Sequence, residues 1–345
     1  MNFRSDNEAP VAPEIMAAIV DANTGSARAY GNDAITGRLD AIFSDLFETP
    51  VQVFPVATGT AANSLALSVL TPPWGGVYCH EESHVGIDES GAPEMFTAGA
   101  KMIGLGGHDG KFEPAALNAA VDHALAFGVH HVAPAAVSIA QATEAGTVYT
   151  TDEVAALAEV ARARGLGVHM DGARFGNALA TLGCAPADLT WRAGVDVMSF
   201  GATKNGAMAA EAVVFFRPEL AQAFGHRRKR GGQLFCKMRY VSAQFEAYLR
   251  DGLWLTLAGR ANRAAKRLAE GLAALPGSRI AYPVQANEVF AVLPDSVTGG
   301  LIDDGFGFHP WPAEEGVVRF VTAFETSDGA VDALLDAARR HAASG

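Results

Sequence analysis

"VHMDGARFGNA", residues 168–178, is the stretch from which the fold can be read. An apolar run stops at Asp171, and Arg174 follows three positions later. Just upstream, Thr150 and Glu153 have the spacing of a capping box ahead of "VAALAEVARARG", and Gly165 supplies a left-handed stop. A helix that feeds a short apolar strand is one half of a strand–helix–strand unit. The pattern continues outward. "VQVFPVA" (51–57), "GGVYCH" (75–80) and "HHVAPAAVSIA" (130–140) precede it as strand candidates, and "VDVMSFGA" (195–202) and "EAVVFF" (211–216) follow. Short apolar runs alternating with helical patterns predict an α/β fold, a mostly parallel sheet wrapped by helices.

From about residue 246 the texture changes to a helix around "LAGRANRAAKRLAEGLAAL", short strands around "EVFAVLP" and "GVVRFVTAF", and a last helix after Ser327. The expected organisation is an N-terminal segment plus a large α/β domain over residues 1–245, and a small α+β domain over residues 246–345.

The 345 residues, 49% hydrophobic and 19% charged, suit a globular protein of enzyme size. A net charge of -12 would repel nucleic acid, which is set aside as a partner. Cys79, Cys184 and Cys236 are too few and too scattered for a disulfide framework and contain no C-x-x-C pair. "MNFRSDNEAP" has charges where a secretory signal needs apolar residues, and no apolar run reaches membrane-spanning length. The expectation is a soluble, cytoplasmic protein with no membrane partner.

In open α/β sheets ligands bind beyond the carboxyl ends of the strands, so Asp171 and Arg174 are expected to face a crevice. A surface ion pair is the plain alternative. Lys204, in "SFGATKNG", follows the next strand among small and flexible residues, where an amine can be held at the mouth of a site for Schiff-base chemistry. Thr58, Gly59 and Thr60 lie between a strand and a helix, where free N–H groups can bind phosphate. Together these features describe a pocket for pyridoxal 5'-phosphate, whose ring nitrogen needs an acidic partner such as Asp171. Arg174 and Arg319 are candidates to clamp a substrate carboxylate. His84 is a candidate to stack on the ring and exchange protons. His130 and His131 adjoin a strand, so one of them is expected to point inward, and both are read as structural.

These residues and their order resemble the fold type I pyridoxal phosphate enzymes, and within them the threonine aldolases of the β-eliminating lyase group. The resemblance runs through "RSDN", "AYGND", "TGTAANSLAL", "SHVGIDESGAPE", "QATEAGTVYT", "HMDGARFGNA", "FGATKNG" and "VRFVTAFET", and so covers nearly the whole chain. It implies a fold type I transferase-like architecture. It also implies retro-aldol cleavage of L-threonine, L-allo-threonine or related β-hydroxy-α-amino acids such as phenylserine to glycine and an aldehyde. By the same resemblance Lys204 is the Schiff-base lysine, Asp171 the partner of the ring nitrogen and His84 the stacking histidine. Thr58, Gly59, Thr60 and Thr203 bind the cofactor with Arg174, and Ser5, Arg174 and Arg319 hold the substrate carboxylate.

The resemblance further implies a homo-oligomer, dimer or tetramer, in which a neighbouring subunit sends a basic residue to the phosphate. In "HRRKRGGQLFCKMR" that choice falls on Lys229, with Lys237 and Arg239 close behind. Many relatives read "ENTHNG" where this chain reads "QATEAG", which places Glu144 near the substrate hydroxyl. Glu144, His84 or a water must then take the β-hydroxyl proton.

Three rival readings stand beside this one. Another pyridoxal phosphate reaction, β-elimination or transamination, would yield a 2-oxo acid. A metal-dependent hydrolase would recruit His130, His131, His169 and Asp171, but that set lacks a spaced third ligand beside His169 and Asp171. A cofactor-binding protein without catalysis would be yellow and inert.

Overall fold

The computed structural model describes residues 1–311 and 314–343. The large sheet has seven strands: β1 (Gln52–Val56), β2 (Gly75–His80), β3 (Lys101–Leu105), β4 (Ala133–Ala140), β5 (Gly167–Gly172), β6 (Val197–Gly201) and β7 (Glu211–Phe215). Their order is β1-β7-β6-β5-β4-β2-β3. Only β7 runs against its neighbours, pairing antiparallel with both β1 and β6, while β6, β5, β4, β2 and β3 are parallel. The expected α/β sheet is therefore present. β3 escapes the apolar-run reading because only Leu105 of its five residues is buried.

The capping box at Thr150 and Glu153 forms in both directions and opens the helix Thr151–Ala163. Gly165 then takes a left-handed φ of 73° and turns the chain into β5. Parallel pairing sets Ala140 of β4, Asp171 of β5 and Ser199 of β6 side by side near the carboxyl edge. Because β7 is reversed, its first residue, Glu211, pairs with Gly201 and lies at the same edge.

The paired histidines do not follow expectation. His130 ends a short 3₁₀ turn, β4 starts at Ala133, and both His130 and His131 are exposed. The His131 ring stacks on Phe127 instead, with centroids 4.3 Å apart. Neither histidine points inward, because the strand begins beyond them.

A second sheet, β8 (Arg279–Ile280), β9 (Glu288–Val292), β10 (His309–Pro310) and β11 (Val317–Val321), is antiparallel in the order β10-β11-β9-β8. Its apolar face packs with the helix Asp328–Ala342, which Ser327 caps. The helix Leu253–Ala273 joins the two cores: Trp254 and Leu257 belong to the large one, Leu268 and Leu272 to the small one. The chain start also enters the small core through Phe3, whose backbone bonds to Gly307 and Val321. Asp6, just beyond, is thereby carried to the carboxyl edge of the large sheet. Among the described residues no helix is long and apolar enough to cross a membrane.

Candidate active site

Asp171, Lys204, His84, Gly59, Glu144, Arg174, Arg319 and Ser5 line one cavity of about 230 Å³ at the carboxyl edge of β4 and β5. That size suits one small molecule. Asp171 is 6% exposed. Its Oδ2 accepts a hydrogen bond from Asn63 Nδ2 at 2.8 Å, and its Oδ1 one from the Ala173 backbone at 3.0 Å. The helix Gly59–Leu70, through Asn63, and the turn after β5, through Ala173, thus hold the carboxylate from both sides.

Lys204 sits in the 3₁₀ turn Thr203–Asn205 after β6. Gly206 ends that turn at φ 104°, a conformation other residues adopt at a cost, where a Cβ would crowd Leu257 and Ala12. A Cβ on Gly201 would lie 2.7 Å from the Ala173 carbonyl, so a glycine there lets the Asp171–Arg174 turn close on β6. The Lys204 amine makes no hydrogen bond or ion pair among the described residues. Thr203 is placed beside it, but its hydroxyl bridges to Ala210 and its N–H donates to Glu211 Oε1 at 3.3 Å. Burial pushes the Glu211 carboxyl up to about 7.

Thr58 caps the helix Gly59–Leu70 by accepting from the Ala61 N–H. Gly59 opens that helix on the cavity wall, where an added side chain would meet nothing within 4 Å, and Thr60 follows in the first turn. The Ala61 and Ala62 N–H groups bond to Thr58, whereas the Gly59 and Thr60 N–H groups make no hydrogen bond among the described residues.

His84 starts a short helical turn, His84–Ile87. Its Nδ1 lies 3.0 Å from the buried Glu89 Oε1, and that contact raises the affinity of the ring for a proton. The His84 backbone N–H donates to Glu144 Oε1 at 2.8 Å. The other Glu144 oxygen is buried and has no partner among the described residues, although the side chain as a whole is only partly covered. Desolvation raises the Glu144 carboxyl to about 7.

The arginines differ. Arg174 donates from Nε and Nη2 to the two Asp6 oxygens at 2.8 and 3.1 Å, and its Nη1 lies 3.1 Å from Glu288 Oε2. The paired guanidinium holds the Asp6 carboxyl below its usual range against the opposing effect of burial. Among the described residues Arg319 is tied by a 3.8 Å contact to Glu288 and sits 5.6 Å from the Trp311 ring centroid, with Nε buried and without a hydrogen-bond partner there. Ser5 lines the cavity while its hydroxyl accepts from the Asn7 N–H.

The basic stretch lies elsewhere. The Lys229 amine rests 4.8 Å from the Tyr30 ring centroid, Lys237 is exposed, and Arg239 donates to the Thr24 and Gly25 carbonyls. Arg228, not singled out by the sequence, is 6% exposed, and its Nε and Nη2 lack partners among the described residues. His169, a ligand in the rival metal reading, lies between the Ser138 and Ser199 hydroxyls, and burial lowers its pKa to about 4.

Asp6, Asn63, Glu89 and Glu288 also shape the site and carry weak sequence signals. Asn63 is a polar residue in a helix buried from Ala61 to Ser68, and Glu288 is a charge opening an apolar strand. Those two anomalies mark them. Asp6 and Glu89 show no such mark.

The β-eliminating lyase family profile matches residues 2–296. The chain belongs to the β-eliminating lyase family. Among its curated relatives is a low specificity L-threonine aldolase of Pseudomonas aeruginosa, 45% identical over 325 residues, with 94% of this chain and 93% of that protein covered. Another, from a Pseudomonas species and of the same name, is 43% identical and covers 96% of this chain and 95% of its own. Among solved structures, a Leishmania major threonine aldolase superposes with a TM-score of 0.92 at 27% identity, over 99% of both chains. The architecture of this β-eliminating lyase is accordingly the fold type I arrangement, and the chain is an enzyme, a lyase.

Proposed function

We infer that this lyase cleaves L-threonine, L-allo-threonine and related β-hydroxy-α-amino acids such as phenylserine to glycine and an aldehyde, using pyridoxal 5'-phosphate. The observation that carries the reading is one cavity lined by Lys204, a lysine without a hydrogen bond or ion pair among the described residues, Asp171, a carboxylate held on two sides, and Gly59 at a helix start. Relatives named for threonine cleavage at 43% to 45% identity over nearly the full chain support the substrate class.

The residues fit the cofactor. Lys204 would hold its aldehyde carbon, Asp171 its ring nitrogen, His84 its ring face, and Thr58, Gly59 and Thr60 its phosphate, with Thr203 shaping the lysine turn. When bound, the group supplies an electron sink for the pair released as the Cα–Cβ bond breaks.

The protein groups do the rest. Arg319 is the less committed cation and would meet the substrate carboxylate first, with Ser5 and the remaining Arg174 donors completing the grip. Glu144, partly desolvated beside His84, would accept the β-hydroxyl proton, since a base with a pKa near the working pH is both ionised and strong enough. In this reading the boundary near residue 245 separates a larger lobe from a smaller one, except that Phe3 of the chain start enters the small core and Trp254 and Leu257 stay in the large one, and the cavity lies where the two meet. Three free cysteines, one of them exposed, suit a reducing cytoplasm. The exposed Lys229 amine, which among the described residues contacts only the Tyr30 ring, supports a homo-oligomer, dimer or tetramer, in which it reaches a neighbour's phosphate.

Incubating the cofactor-loaded protein with L-threonine and, separately, L-phenylserine tests the reaction by mass spectrometry. Glycine with acetaldehyde or benzaldehyde is expected. A 2-oxo acid would move the reaction to β-elimination or transamination.

A further inference from the structure

Beyond the residues that meet cofactor or substrate, the cavity wall holds a continuous polar chain: Asp171, Asn63, Glu89, His84. We propose that Glu89 is a positioning residue for both ring-contacting groups, holding His84 directly through Nδ1 and setting the Asp171 carboxylate through the Asn63 amide. The inference rests on the reading above, in which His84 and Asp171 contact the cofactor ring.

Four observations carry it. Glu89 Oε1 lies 3.0 Å from His84 Nδ1 and 2.9 Å from Asn63 Nδ2, and the same Asn63 nitrogen lies 2.8 Å from Asp171 Oδ2. The amide orientation is decided by chemistry, because the flipped form would turn its oxygen toward two carboxylates. The Glu89 side chain has no exposure, so its position is set by packing. Glu89 Oε2 and Asn63 Oδ1 are nevertheless buried without partners among the described residues. An arrangement selected for stability alone would not leave two such atoms unsatisfied.

A carboxylate at Nδ1 makes that nitrogen the protonated one and leaves Nε2 as the acceptor, and it also stabilises the imidazolium. The charged groups facing His84 are Glu89 from its own turn, Asp171 from β5, Lys204 from beyond β6, and Glu144, which takes its backbone N–H. Of these, the Glu89 contact is the largest influence on the ring, and it raises its pKa.

The test is the imidazole titration of His84 in the cofactor-loaded protein without substrate, followed by ¹⁵N NMR and assigned by its loss in His84→Asn. Glu89→Gln keeps the volume and can still accept from Asn63, but it removes the charge. The His84 midpoint is expected to fall by about one pH unit. An unchanged midpoint in a folded variant overturns the proposal, whatever the activity. Should Glu89→Gln not fold, Glu89→Asp withdraws the carboxylate by one methylene and carries the same expectation and the same overturning result. Asn63→Ser tests the amide arm. It should leave the His84 midpoint in place and weaken cofactor retention on dialysis about tenfold; undiminished retention would remove Asp171 from the chain of contacts. Because the titration needs no turnover, it can succeed while the product assay fails, and the reverse, so the two readings fail separately.

Discussion

On one side of the cavity Arg174 commits three nitrogens to Asp6 and Glu288; on the other, Asp171 is held by a single amide and a single backbone N–H. The arginine side is neutralised by carboxylates of the protein itself. The aspartate side places Asp171 and Glu89 on one asparagine, and burial pushes the Glu89 carboxyl up. The difference separates two tasks. In the proposed reading the pre-paired arginine gives a rigid wall, and Arg319 beside it, with its one 3.8 Å ion pair among the described residues, would be left for an arriving carboxylate. Asp171, with two hydrogen bonds, would be left for an arriving ring nitrogen.

Removing Lys204 is the strongest way to break this comparison. Lys204→Ala should lower glycine formation by about 10³-fold or more while some cofactor remains bound, read by single-turnover assay and absorbance. Wild-type turnover in that variant would leave the cavity without its reacting amine.

Next comes the contrast between the arginines. Arg174→Leu strands two buried carboxylates and should cost about 3–5 kcal/mol in denaturant unfolding. Arg319→Leu should leave stability near the parent and raise KM by about ten- to a hundredfold, the range for lost charge-assisted hydrogen bonds. If the stability losses were equal, the wall and the receptor would not be distinct.

A further effect, of similar size to the Arg319 one, sharpens the base assignment. Glu144 must be ionised to accept a proton, so the parent rate should fall as pH drops through about 7. Glu144→Gln should lose about 10²-fold in rate together with that acidic limb. The same shift has a stability counterpart with a definite sign. A carboxyl whose folded pKa is raised binds its proton more tightly when folded, so its contribution falls as pH rises from the ordinary value of 4.5 to about 7. Above that window Glu144→Gln should be more resistant to unfolding than the parent. A rate profile unchanged by the substitution would shift the role to His84 or water.

Asp171, Lys204 and Gly59 were legible because each stands at a junction with a local signature: an apolar run ending in acid, a lysine among small residues, a glycine between strand and helix. The capping box at Thr150 and Glu153 was legible for the same reason. Glu89 was not, since it comes to His84 and Asn63 through a short turn that no periodicity announces. His130 and His131 misled because a strand start cannot be placed to within three residues from apolar character alone.

The alternation of strands and helices, β3 excepted, and the placing of Asp171 and Lys204 at strand ends were determined by sequence alone, because backbone propensity and hydrophobic period act over a few residues. Tertiary structure alone decided that Asp6 and Glu288 neutralise Arg174, that Asn63 joins Asp171 to Glu89, and that Arg319 stays loosely tied. These contacts link positions 168 apart for Asp6 and Arg174 and 108 apart for Asn63 and Asp171. They form only when two cores and a shared helix bring distant segments within hydrogen-bond range, and burial then sets how strongly each charge is felt.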